Sequence, residues 1–131
     1  MPWPPPEPGD IVWCRFPERP RDKPGPKPRP GLVVTVTEFN DGIVVSVAYG
    51  TSKGLARLSS GEFAIRRDVN RAAYELAGLS YDTKFDLAHV VELPWDETFF
   101  AIPPDTRLGQ SPKLGTLHSS MMRAAQPAAR R

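Results

Sequence analysis

Cysteine is almost absent from this chain: Cys14 is the only one in 131 residues. A lone cysteine excludes an intrachain disulfide framework and any zinc site built from several thiolates. Long apolar runs are missing too. None approaches the ~20 residues of a membrane span, so no membrane association is expected. The opening Met1-Pro-Trp-Pro-Pro-Pro has neither a basic region nor an apolar core, and does not read as a secretory signal. A strong net charge is also lacking, at +2. The expectation is a soluble, cytoplasmic protein with one core.

Proline is what the chain has in excess. There are 16, and eleven of them fall in residues 1–31. Proline fixes φ and removes a backbone donor, so that segment cannot be mostly regular structure. Charge is unevenly spread. Arg19 to Arg29 holds five basic residues and one acid, and Lys113 to Arg131 holds four basic residues and no acid. Between them, Glu38 to Asp105 carries eleven acids and six bases. Basic ends around an acidic middle point to an anionic partner, nucleic acid among the candidates.

Residues 1–8 read as a proline-rich tail, 9–124 as one domain and 125–131 as a basic tail. Ile11–Phe16 suits a strand. Pro17–Pro30, with six prolines, reads as an extended, mobile loop of polyproline character. Gly31–Thr37 and Ile43–Tyr49 read as strands joined by a turn at Phe39-Asn-Asp-Gly42, where Asn, Asp and Gly tolerate positive φ. Short strands follow at Glu62–Ile65, Thr83–Leu87, His89–Leu93 and Thr98–Ile102. A turn or two of helix fits Arg71–Ala77, stopped by Gly78. Leu114, Leu117, Met121 and Met122 fall near helical spacing, so Ser111–Ala125 is expected to be a terminal helix. The fold class is mainly β, a small antiparallel barrel partly covered by a C-terminal helix.

Hairpin register then brings a site together. A turn at residues 39–42 pairs the second and third strands so that Arg29 falls opposite Ser52 and Pro30 opposite Thr51. An arginine and two hydroxyls meet at one end of the hairpin, beside the basic loop and Lys53. Arginine offers a planar fork of donors suited to phosphate, and hydroxyls with backbone N–H groups can complete an anion site.

These residues carry a resemblance. Gly9-Asp-Ile-Val-Trp-Cys-Arg-Phe16, a variable loop, then Arg29-Pro-Gly-Leu-Val-Val-Thr35 resembles the start of the PemK/MazF-type toxins of bacterial toxin–antitoxin systems. Thr51-Ser52, at the end of the third strand, matches the hydroxyl residue of that family. The resemblance spans roughly residues 9–93. It implies an SH3-like barrel, a homodimer, a cognate antitoxin, and sequence-specific cleavage of single-stranded RNA by 2′-OH attack, with no metal and no cofactor. Under that implication Arg29 stabilises the transition state and Thr51 or Ser52 positions the scissile phosphate. Arg19, Arg21, Lys23, Lys27 and Lys53 attract the RNA. Where the family often carries an acid and an arginine, this chain has Ala88 and Val91. Asp86 lies two residues earlier on the same strand face, and His89 stands where a glutamine is usual. Asp86 and His89 are the acid–base candidates.

Two other classes stay open. One is a silent module of the same fold that holds RNA or a peptide without cutting. The other is a toxin of the same fold directed at a protein such as DNA gyrase. Of the remaining residues, Cys14 reads as a small buried apolar side chain, Trp13 and Trp95 as core or dimer-interface residues, and His118 as solvent-facing. Trp3 reads as a partner contact, and the Asp82-Lys84-Asp86 run as a solvated strand face.

Overall fold

A turn closed by its own carboxylate opens the folded chain. Asp10 accepts the Glu7 backbone N–H at 2.9 Å and sits 3.3 Å from the Lys113 ammonium. It is nearly buried, and so needs both partners. The computed structural model describes residues 3–18, 23–104 and 110–121. Its elements run β1 (Asp10–Cys14), β2 (Pro17–Glu18), β3 (Lys23–Pro24), β4 (Arg29–Phe39), β5 (Gly42–Thr51), β6 (Glu62–Ile65), α1 (Arg71–Leu76), β7 (Thr83–Pro94) and β8 (Lys113–Thr116), with a 3-10 turn at Ser119–Met121.

Six strands form one antiparallel sheet in the order β6-β7-β5-β4-β1-β8. The sheet is open, not the closed barrel expected, with β6 and β8 at opposite edges. Apolar clusters cover both faces. Ile11, Leu32, Ala48, Phe63, Ile65 and Phe85 pack with Ala73 and Ala77 of the α1 region on one side. Val12, Cys14, Phe16, Val33, Val45, Val47, Leu93, Trp95 and Phe100 pack on the other. Cys14 is fully buried as expected, and burial pushes its thiol pKa well up, which leaves it an inert core residue.

The hairpin turn lies where Asn40-Asp41 placed it, and β4 pairs with β5 in the expected register from Phe39–Gly42 back to Thr35–Ser46. Val34 is then one residue too many. The bulge is closed by Ser46, whose hydroxyl accepts the Thr35 N–H at 3.1 Å. Beyond it the register slips by one to Gly31–Tyr49. Continued along the strands, that register sets Arg29 level with Thr51, not Ser52, and Pro30 level with Gly50.

Several other expectations are corrected. Ser111–Ala125 is not a helix over its described part: residues 113–116 form an edge strand on β1 and only 119–121 coil. Gly115 requires this, because a Cβ there would lie 2.1 Å from the Leu76 carbonyl oxygen. Thr83–Leu87 and His89–Leu93 are one strand with a bulge. Thr98–Ile102 makes only an isolated bridge, Phe100 to Cys14. The proline-rich loop carries a small ladder, Pro17–Pro24 and Glu18–Lys23, and Gly25 N–H donates to the Phe16 carbonyl. The first helix is as expected, Arg71–Leu76 with Gly78 at φ 70° behind it, a backbone conformation that favours glycine. Trp3, expected to be a partner contact, is half-buried against its own chain. It packs edge-on against Trp95 with ring centroids 5.8 Å apart, and the Trp95 indole N–H donates to the Pro4 carbonyl.

Candidate phosphate-gripping site

The adjoining ends of β4 and β5 carry Arg29 and Thr51, and a tight approach of backbones holds them together. A Cβ on Gly50 would lie 2.2 Å from the Pro30 carbonyl oxygen and 2.9 Å from the Phe85 ring. Only glycine lets the strands meet this closely. Arg29, Thr51 and Ser52 line one groove of about 1000 Å³. Arg29 also lines a smaller cavity of about 250 Å³ with Phe16, Glu18, Lys27 and Tyr49. The arginine thus stands between two concavities, half-buried at the sheet end. The Thr51 hydroxyl oxygen accepts the Lys53 N–H at 3.1 Å. That bond occupies a lone pair and leaves the hydroxyl hydrogen to donate.

The next strand supplies one carboxylate. On β7, Lys84 pairs with Thr51 and Asp86 with Tyr49. These four residues share one face of the sheet. Three residues, Leu87, Ala88 and His89, then stand on β7 between the partners of Tyr49 and Ala48. This bulge carries His89 outward, where it stacks on Tyr49 at 5.5 Å between centroids and 24° between planes. Asp86 accepts the Ala88 N–H at 2.9 Å. Neither Asp86 nor His89 lines the groove of Arg29.

The model of the PemK-like, MazF-like toxins of type II toxin–antitoxin systems matches residues 7–130. The chain belongs to this toxin family. A cognate antitoxin is therefore implied as its partner. A search of curated proteins finds no match.

Against the residues expected to serve a PemK/MazF-type site, the structure brings Arg29, Thr51 and Ser52 together. It sets Lys27 beside Arg29, and Lys53 exposed next to Thr51. Lys23 is exposed on β3. Arg19 and Arg21 lie outside the described residues. Asp86 and His89 sit on the neighbouring strand, around the β7 bulge.

Two residues were missed. Lys84 is not part of a solvated face: its side chain is 12% exposed. Its ammonium donates to Glu62 at 3.1 Å, to the Gly54 carbonyl at 3.1 Å and to the Arg57 carbonyl at 3.4 Å. Glu62, 10% exposed, also accepts the Ser59 N–H at 2.6 Å. Burial alone would raise the Glu62 pKa, but the Ser59 and Lys84 hydrogen bonds and the Lys84 charge outweigh it, and the net shift is downward. The Arg66 guanidinium donates to the Leu55 carbonyl. The loop that follows Thr51-Ser52 is thus fastened from beneath by two cations. Lys84 pairs with Ala64 across the strands and reaches Glu62 diagonally, past the Glu62–Asp86 rung, a contact that alternation along one strand does not announce. Among the described residues, no group of three His, Cys, Asp or Glu side chains converges on a metal position.

Proposed function

We propose that this toxin-family protein is an endoribonuclease that cuts single-stranded RNA at a phosphate gripped by Arg29 with Thr51 and Ser52. The observation that carries this is the single groove lined by all three, beside the close approach of Gly50 to the Pro30 carbonyl. The ribose 2′-OH attacks the adjacent phosphorus, the P–O5′ bond breaks, and a 2′,3′-cyclic phosphate and a 5′-OH result. No metal is required, because the nucleophile is part of the substrate. A base must take the 2′-OH proton and an acid must protonate the leaving oxygen. Arg29, aimed at the charge that develops on the phosphoryl oxygens, supplies electrostatic stabilisation. Asp86 lies one rung from Thr51, roughly 7 Å along the strand, and with His89 makes the proposed acid–base pair. Lys23, Lys27 and Lys53 attract the RNA backbone, together with Arg19 and Arg21. The proposed setting is cytoplasmic, with the chain as a homodimer held by its antitoxin until release.

Expression without antitoxin should arrest growth and leave RNA cut at short single-stranded motifs. Purified protein should go on cutting in EDTA, and Arg29→Ala should not cut. A second reading, a module that holds RNA without cutting, is favoured by one observation: Asp86 and His89 lie outside the groove of Arg29. Binding by wild type with no cleavage product would decide for it. Full toxicity of Arg29→Ala would move the site elsewhere and bring forward a protein target.

A further inference from the structure

The groove that holds Arg29, Thr51 and Ser52 does not end with them. It runs past Trp13 to Tyr74 of α1, Tyr81 and Arg67. Among the described residues its cations are Arg29, Arg67 and Lys113, and its one acid is Glu75, which lies 3.4 Å from Arg71. Lys113 is engaged by Asp10. Arg67 is exposed, and no hydrogen bond or ion pair is formed by its guanidinium among the described residues.

Tyr81 is 73% exposed and its ring stacks on no other aromatic among the described residues. Yet its backbone is held firmly. The Tyr81 carbonyl accepts the Thr83 hydroxyl at 2.8 Å, and the next residue, Asp82, accepts the Arg67 N–H at 2.8 Å. Behind it, α1 rests directly on β8. A Cβ on Gly78 would lie 2.1 Å from the Leu114 carbonyl oxygen, as one on Gly115 would from Leu76. The groove wall thus carries, among the described residues, an aromatic ring with no stacking partner and a guanidinium with no hydrogen-bond partner. A ring over which a base can stack and a cation for the adjoining phosphate are what single-stranded nucleic acid needs.

Resting on the RNA reading above, we propose that Tyr81 and Arg67 form a base-stacking subsite for a nucleotide flanking the phosphate held at Arg29. Charge complementarity selects the occupant: with Lys113 held by Asp10 and Glu75 by Arg71, Arg29 and Arg67 remain, and a strand of phosphates fits them better than an apolar peptide does. Stacking is sequence-tolerant, so this subsite contributes affinity and orientation more than base choice.

The test uses the full chain and a 2′-O-methylated single-stranded RNA that cannot be cut, carrying 2-aminopurine at successive positions. Wild type and Tyr81→Phe should bind alike and quench the probe at one position. Tyr81→Ala should bind about tenfold or more weakly and lose that quenching, with the melting temperature of wild type. Arg67→Gln should reduce the slope of log affinity against log salt by about one. Tyr81→Ala with wild-type affinity and quenching would overturn the proposal. So would a loss of dimer in Tyr81→Ala by sedimentation with RNA affinity unchanged, which would assign this face to a second copy. If wild type binds no RNA while remaining toxic, the RNA reading falls and the subsite with it. If wild type binds and Arg29→Ala weakens it but Tyr81→Ala does not, only the subsite falls.

Discussion

Lys84 on β7 and Glu62 on β6 form a nearly buried ion pair, 3.1 Å apart, under the loop that carries Ser52 and Lys53. It differs in kind from the pair Arg71–Glu75, whose side chains are 67% and 64% exposed. An exposed pair at this spacing contributes roughly 0.3–0.5 kcal/mol. Removing one partner of a buried pair leaves an uncompensated charge and costs on the order of 3 kcal/mol. Lys84→Met should therefore lower the melting temperature strongly, and Arg71→Ala hardly at all. Calorimetry on the two variants checks this.

The same pair sets an acid dependence. Unfolded, Glu62 titrates near the ordinary carboxylate value of 4.5, and folded it titrates lower. Below that value the unfolded chain takes up a proton that the folded chain does not. Stability is thus fully present above about pH 5 and falls as pH drops toward the depressed folded pKa. Glu62→Gln should flatten this part of the stability–pH curve while being less stable at neutral pH. A variant whose acid limb matches wild type in urea titrations would show that other carboxylates set it.

Gly50 is predicted to be irreplaceable even by alanine. A Cβ there meets the Pro30 carbonyl oxygen at 2.2 Å, and backbone cannot yield as a side-chain end can. Forcing β4 and β5 apart should cost about 2 kcal/mol. It should also separate Arg29 from Thr51, so cleavage should fall by more than the loss of folded protein explains. Comparing kcat at a temperature where the variant is fully folded separates the two effects.

Trp3 should act on stability and not on partner binding. Its edge-on contact with Trp95, with Pro4 accepting the indole N–H, combines apolar burial with an aromatic pair. Trp3→Ala is expected to cost about 2 kcal/mol, or roughly 7 °C in Tm for a chain of this size. Antitoxin affinity measured well below the melting temperature should be unchanged.

Much of this was legible because strand pairing near a turn is local. Asn40-Asp41-Gly42 marks the hairpin, and the register that follows holds as far as Thr35. The bulge at Val34 carries no glycine or proline to announce it, so the one-residue slip that sets Arg29 level with Thr51 was invisible. The β7 bulge hid in the same way. It places three extra residues, Leu87 to His89, before Val90, and none of them is a glycine or proline that would announce it. Leu114, Leu117 and Met121 satisfy a helical period, but Gly115 must approach the Leu76 and Ala77 backbone, and that long-range contact decides for a strand. Lys84 alternates like a solvent-facing residue. Only the folded path of residues 54–61 shows that it is covered.

The proposed chemistry ranks the groove residues. Thr51 offers one neutral hydroxyl hydrogen, since its oxygen already accepts from Lys53. Thr51→Val should lower kcat/KM about tenfold, the worth of one neutral hydrogen bond, and Thr51→Ser should restore most of it. Arg29→Ala removes a charged donor from the transition state and should cost a hundredfold or more. The proton carriers are read from the pH–rate profile. If Asp86 is the base, Asp86→Asn should abolish the limb that rises from low pH. If His89, stacked on Tyr49, is the acid, His89→Gln should abolish the limb that falls at high pH. A profile that keeps both limbs in one of these variants would remove that residue from proton transfer. Should both variants keep both limbs, with Arg29→Ala still inactive, two other ionisable groups would carry the protons.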